Sequence, residues 1–139
     1  MAVNAVFQEN GKNNRARVVP EGTKAGDFLL IDGRPAVAYT DRGDATRDYS
    51  VGAGAVLTRP SGGVGFAPDE AGVAFDGTWD LPVDGATTST EQDVAVYITA
   101  DDPAELTLTA TDNTLFGYTD YPKDNYLKRA GIDPVRIGA

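Results

Sequence analysis

The sequence predicts an all-β domain with little helix, on three observations. Apolar and polar residues alternate with a period of two over residues 73–81, 94–99 and 106–111. Asp32-Gly33 separates two apolar runs, which is a strong hairpin signal. The 139 residues include 16 Gly and 8 Pro, a punctuation that suits short strands and tight turns better than long helices.

Taken in order, a polar, basic start holds two short β-prone patches, residues 3–7 and 15–19, with a weak strand expected at 16–19. The apolar run 28–31 turns at Asp32-Gly33 into 34–39, and Pro35 assigns that second strand to an edge or to a strand start. Residues 41–51 are charged and aperiodic and read as an exposed loop; so do 59–72, which hold Pro60, Gly62, Gly63, Gly65, Pro68 and Gly72. A weak strand is expected between them at 55–58. The clearest strand is 73–81: Val73, Phe75, Gly77, Trp79 and Leu81 point one way, Ala74, Asp76, Thr78 and Asp80 the other. Gly77 on the inner face marks a bulge or a close backbone crossing. Residues 88–91 suit a capped turn.

Residues 94–99 and 106–111 read as a hairpin through Asp101-Asp102-Pro103, with Thr107, Thr109 and Thr111 on one face. Weak strands follow at 115–119 and 135–137. Residues 122–130 suit a short helix, with Pro122 early, Gly131 just past the end and an Asp124–Lys128 pair at i,i+4. Turn signals every 8–12 residues or so suggest a sandwich or barrel. Neither an internal repeat nor a domain boundary is visible.

The composition excludes most chemistry. There is no Cys and no His, so disulfides, thiolate sites, a Ser/His/Asp triad and a histidine metal site are ruled out. The net charge of −9 argues against nucleic acid as the main partner. That charge is uneven: residues 1–26 and 128–139 each carry +2, and the middle carries −13. The start of the chain has neither the basic nor the apolar region of a signal peptide, and no apolar run approaches the roughly 20 residues of a membrane span. Synthesis in a cytoplasm and no membrane partner are the expectations.

No motif carries a reaction. Asp41, Asp44 and Asp48, and the pair Asp101-Asp102, are carboxylate groups of the kind a glycosidase or a calcium site uses, but the calcium-loop spacing is absent and solvated turns explain them. Gly52-Ala53-Gly54 starts a dinucleotide fingerprint that fails at its third glycine, where Leu57 stands. Arg42-Gly43-Asp44 spells an integrin tripeptide in a loop charged for ordinary reasons. The lone Trp79 reads as a core anchor, or else as an interface anchor, together with Phe75 and Leu81. Tyr118, Tyr121 and Tyr126 form an aromatic group near the end of the chain without the spacing of a flat sugar platform.

Three stretches in order resemble a known family: Ala25-Gly26-Asp27 with the apolar run, Gly33 and 35–41; then 75–82, from Phe75 through Trp79 to Leu81-Pro82; then 93–97, 109–117 and 134–137. The chain is similar to the capsid decoration (cement) proteins of tailed phages, once catalogued as a domain of unknown function. It departs from them in a longer 41–72 and an enlarged 121–133. The resemblance implies a β-barrel or β-tulip-like domain, residues 21–139, on the outer surface of an HK97-type virion shell. It also implies the major capsid protein as partner and a homotrimer at threefold and quasi-threefold positions; the missing His, Cys and phosphate-loop motifs set the expectation of no enzymatic activity and no cofactor. Residues 1–20 are expected to form an extended N-terminal arm that adds a strand to a capsid element through Val3, Val6, Phe7, Lys12, Arg15 and Arg17. The basic ends are expected to meet an acidic shell. The competing expectation is a virion-surface, adhesin-like domain that binds host glycans; a carboxylate-based hydrolase is a third.

Overall fold

The computed structural model describes residues 4–7, 14–43, 46–50, 52–60 and 68–138. Among them there is no helix and there are twelve strands in three antiparallel sheets. The six-stranded sheet has the order β1 (Ala5–Phe7), β8 (Gly77–Pro82), β12 (Ile132–Ile137), β11 (Thr114–Thr119), β9 (Ala95–Ile98), β10 (Leu106–Thr107). The four-stranded sheet has the order β2 (Asn14–Val18), β7 (Glu70–Ala74), β4 (Arg34–Ala38), β3 (Phe28–Ile31). A separate hairpin joins β5 (Thr46–Ser50) to β6 (Val56–Pro60).

The six-stranded sheet curls into a half-barrel. Its far strand, β10, returns to the chain just beyond β8: the Asp84 amide donates to the Leu106 carbonyl at 2.8 Å, and Asp84 forms a parallel bridge with Thr107. One core fills the space between the sheets. Val37 and Ala74 come from the smaller sheet, and Trp79, Leu81, Val96, Ile98, Leu106, Phe116, Val135 and Ile137 from the larger. Phe28 and Phe116 meet edge to face across this core, with centroids 6.0 Å apart.

The alternating run 73–81 is two strands. It leaves one sheet at Ala74 and enters the other at Gly77, whose φ of +99° makes the corner. The predicted single face therefore breaks there. Val73 and Phe75 pack in a second cluster with Val19, Ala36 and Ala71, while Trp79 and Leu81 join Ala74 in the main core. Phe75, Trp79 and Leu81 are all buried within the chain itself. The Trp79 indole N–H is satisfied across the corner by the Asp76 carbonyl, 2.9 Å away.

The Asp32-Gly33 hairpin forms as the sequence predicts, with φ of +52° and +77° at the two turn residues, the signs of a type I′ turn. Pro35 lies opposite Leu30 near the start of β4, before that strand pairs with β7 at Val37. The 94–111 hairpin is shorter than predicted. β10 ends at Thr107, whose hydroxyl accepts the Thr109 amide at 3.2 Å and turns the chain away from the ladder. Two loop expectations also change, since 46–50 and 56–60 pair as β5 and β6 and the second loop ends in β7. Gly52, Ala53 and Gly54, all at positive φ, form the turn between β5 and β6.

No helix forms over 122–130. Tyr121 and Asp124 adopt left-handed φ values of +65° and +62°, and the Asn125 side chain accepts the Leu127 amide at 3.0 Å. Lys128 pairs with Asp133 instead of Asp124.

The two described parts of residues 1–20 are built into the sheets. β1 pairs with β8 through Ala5 and Phe7, and β2 pairs with β7 along its whole length. Asn4 adds a stitch, donating to the carbonyls of Gly26 and Asp80 at 3.1 and 3.0 Å. Val3 and Lys12 lie outside the described residues.

Candidate functional site

The four-stranded sheet has two faces, and its register separates them. Phe28, Val37 and Ala74 share the face turned to the main core. The opposite face carries Leu29 and Ile31 of β3, Arg34, Ala36 and Ala38 of β4, Ala71 and Val73 of β7, and Arg15 and Arg17 of β2. None of those strand positions is acidic, in a chain with 21 acidic residues.

Phe75 continues this face past the end of β7, and two guanidinium groups lie over its ring: Arg34 at 4.2 Å and Arg17 at 5.6 Å from the centroid. The ring quadrupole attracts both cations, and the ring is only 4% exposed. Nearby, Arg42 Nε donates to the Val19 carbonyl at 3.1 Å. The structure thus brings Arg15 and Arg17, expected as contact residues, and Phe75, expected as an anchor, to one face of the sheet, over a buried apolar cluster. Arg34 was missed, because no local pattern tells that a residue beside a turn will reach a ring 41 positions later.

The remaining predicted contact residues lie elsewhere. Val6 is half-buried and Phe7 is 58% exposed, both on β1 at the edge of the half-barrel. β1 and β2 are edge strands of their sheets, so each has one side without a strand partner among the described residues.

The cations near the end of the chain are spent inside it. Lys128 Nζ lies 3.2 and 3.4 Å from the two carboxylate oxygens of Asp133, and neither side chain is exposed. Asp133 opposes Leu81 and alternates with Val135 and Ile137, which puts it on the inward face. Burial, opposed by Lys128, raises its pKa. Arg129 pairs with Asp80 at 3.0 Å, and Asp80 is also raised by burial. Arg136 spans Asp93 at 3.1 Å and Asp120 at 3.7 Å. Burial would raise Asp120 too. The hydrogen bonds it accepts from Thr78 Oγ1, the Tyr121 amide and Gln92, together with Arg136, outweigh that and lower it. The three cations of the second basic end, Lys128, Arg129 and Arg136, all form ion pairs within the chain.

Among the described residues no group of three or more carboxylates is arranged to hold a metal ion. Asp41 accepts the Ala25 amide at 2.8 Å, and Asp48 lies on β5. Gly43 is buried and donates to the Glu70 carbonyl, so the described part of the integrin-like tripeptide belongs to the fold; Asp44 lies outside the described residues. The three tyrosines do not form a stacked group: Tyr118 lies beneath Arg136, and Tyr126 stands alone at 87% exposure.

Two concavities flank Phe28 and Ala104. One, of about 480 Å3, is floored by Pro82, Val83, Ala86 and Leu106. The other, of about 570 Å3, runs between β3 and the 99–104 turn. No protein-family profile, curated protein or solved structure matches this chain.

Proposed function

We propose that the chain is a non-catalytic virion structural protein that decorates the outer surface of an HK97-type phage shell and clamps neighbouring major capsid subunits. The observation that carries the reading is the arginine-bearing face of the four-stranded sheet, set on a strongly acidic chain. A cationic surface of this kind recognises an acidic protein surface. The small all-β architecture and the ordered resemblance in residues 25–41, 75–82, 93–97, 109–117 and 134–137 support the same reading.

The mechanism is thermodynamic. A ligand that binds the assembled shell and not its free subunits shifts disassembly by mass action, and many copies multiply the shift. Docking through Arg15, Arg17 and Arg34 replaces the expected picture of two basic ends. The β1 and β2 edges, rather than a free arm, then supply the backbone for strand addition. Quantitative mass spectrometry of purified virions tests the assignment. The chain is expected at a copy number comparable with the major capsid subunit, and its absence from washed virions contradicts the reading.

A further inference from the structure

The free edge of β3 borders the larger groove, and the ladder register decides which of its backbone groups face that groove. In a two-residue hairpin the pair next to the turn exchanges both hydrogen bonds, so Ile31–Arg34 is a bonded pair and bonding alternates from there. Leu29–Ala36 is therefore bonded and Leu30–Pro35 is not, so proline's missing N–H costs this ladder nothing. The Ala38 amide donates to the Asp27 carbonyl at 2.8 Å, as the alternation requires. The N–H and C=O groups of Phe28 and Leu30 accordingly point outward. No strand pairs with β3 on that side among the described residues. Phe28 and Leu30 both line the groove of about 570 Å3, and Leu30 is 37% exposed.

The walls of the groove supply selectivity. Its charged lining residues are Glu21, Asp27, Asp101 and Asp102, and none of its lining residues is basic. Leu30, Ile98 and Ala104 provide apolar contacts. An open sheet edge with unpaired donors and acceptors, facing an acidic wall across an apolar floor, fits one kind of occupant.

We propose that β3 accepts an extended segment of a partner protein as an added strand, paired to the backbone of Phe28 and Leu30, with Lys or Arg side chains of that segment reaching Asp101 and Asp102. Main-chain pairing gives the affinity and the acidic wall gives the preference for cations. The site is the edge of the sheet, not its arginine-bearing face, and it does not depend on the partner being a shell subunit.

The test uses the full chain and two octapeptides, one alternating Lys and Val and one alternating Glu and Val. The Lys–Val peptide is expected to bind and the Glu–Val peptide is not. Exchange of the Phe28 and Leu30 amides is expected to slow about tenfold once the site is about nine-tenths occupied, with Leu29 and Ile31 little changed because β4 already protects them. Leu30→Pro removes the outward donor at a position where an edge strand tolerates proline, and it should abolish binding without unfolding the chain. Asp101→Asn with Asp102→Asn, far from any ladder bond of β3, should weaken binding and reduce its salt dependence. Equal affinity for both peptides, protection at β1 or β2 instead, or unaltered binding by Leu30→Pro overturns the proposal. So does concentration-dependent protection of Phe28 and Leu30 without peptide, which would make the occupant a second copy of the chain.

Discussion

Lys128 Nζ and Asp133 Oδ1 lie 3.2 Å apart with both side chains wholly removed from solvent. Two charges in such a place offset each other's desolvation only while both are present. Lys128→Met should therefore destabilise the fold by about 3–5 kcal/mol, and adding Asp133→Leu should restore most of that loss. Urea denaturation midpoints at constant slope measure both. A double variant no more stable than the single one contradicts the account.

The acid side of the stability curve should depend on Asp120. Its pKa in the folded chain lies below the ordinary 3.8, so the folded state binds its proton less readily than the unfolded chain does. Its contribution is present above 3.8 and lost as pH falls through the lower folded value. Asp120→Asn should flatten the loss of stability in that acid range. Asp80 and Asp133 are raised and act with the opposite sign, so their contributions are lost as pH rises above 3.8 through their folded values. Denaturant titrations from neutral pH into that range decide it; an unaltered slope in Asp120→Asn sinks the assignment.

Gly117 carries a strict steric demand. A Cβ there would press into the Arg136 carbonyl on β12 and against Val135 and Ile137. Gly117→Ala should cost about 1–3 kcal/mol and disturb the bulge between Leu115 and Gly117. Thermal unfolding checks this, and a variant as stable as the parent means the strands separate there at little cost.

Much of this fold is legible in the residues, and the losses have physical causes. Alternation and the Asp32-Gly33 turn locate β3, β4, β8, β9 and the start of β10 because both signals are local. Alternation cannot reveal that the chain changes sheets at Gly77, since the apolar pattern runs on across the corner while the partner face switches. The helix expected over 122–130 fails because Lys128 gains a buried partner in Asp133, a tertiary contact that outweighs a weak local preference. The arginine-bearing face depends on three strands distant in sequence, so only Arg15 and Arg17 could be read in advance.

Arg34 and Phe75 should be coupled. A double-mutant cycle with Arg34→Met and Phe75→Leu is expected to give about 0.5–1 kcal/mol at this separation of 4.2 Å. A coupling indistinguishable from zero would leave Arg34 as a solvated neighbour of the ring.

The most direct test of the docking account is co-sedimentation of the purified chain with expanded HK97-type shells. The parent chain should bind saturably, more weakly as salt rises, and should raise the temperature at which the shells disassemble. Arg17→Glu with Arg34→Glu, folded as judged by its melting transition, should lose that binding. Failure of the parent chain to sediment with the shells, or full binding by the double variant, contradicts it.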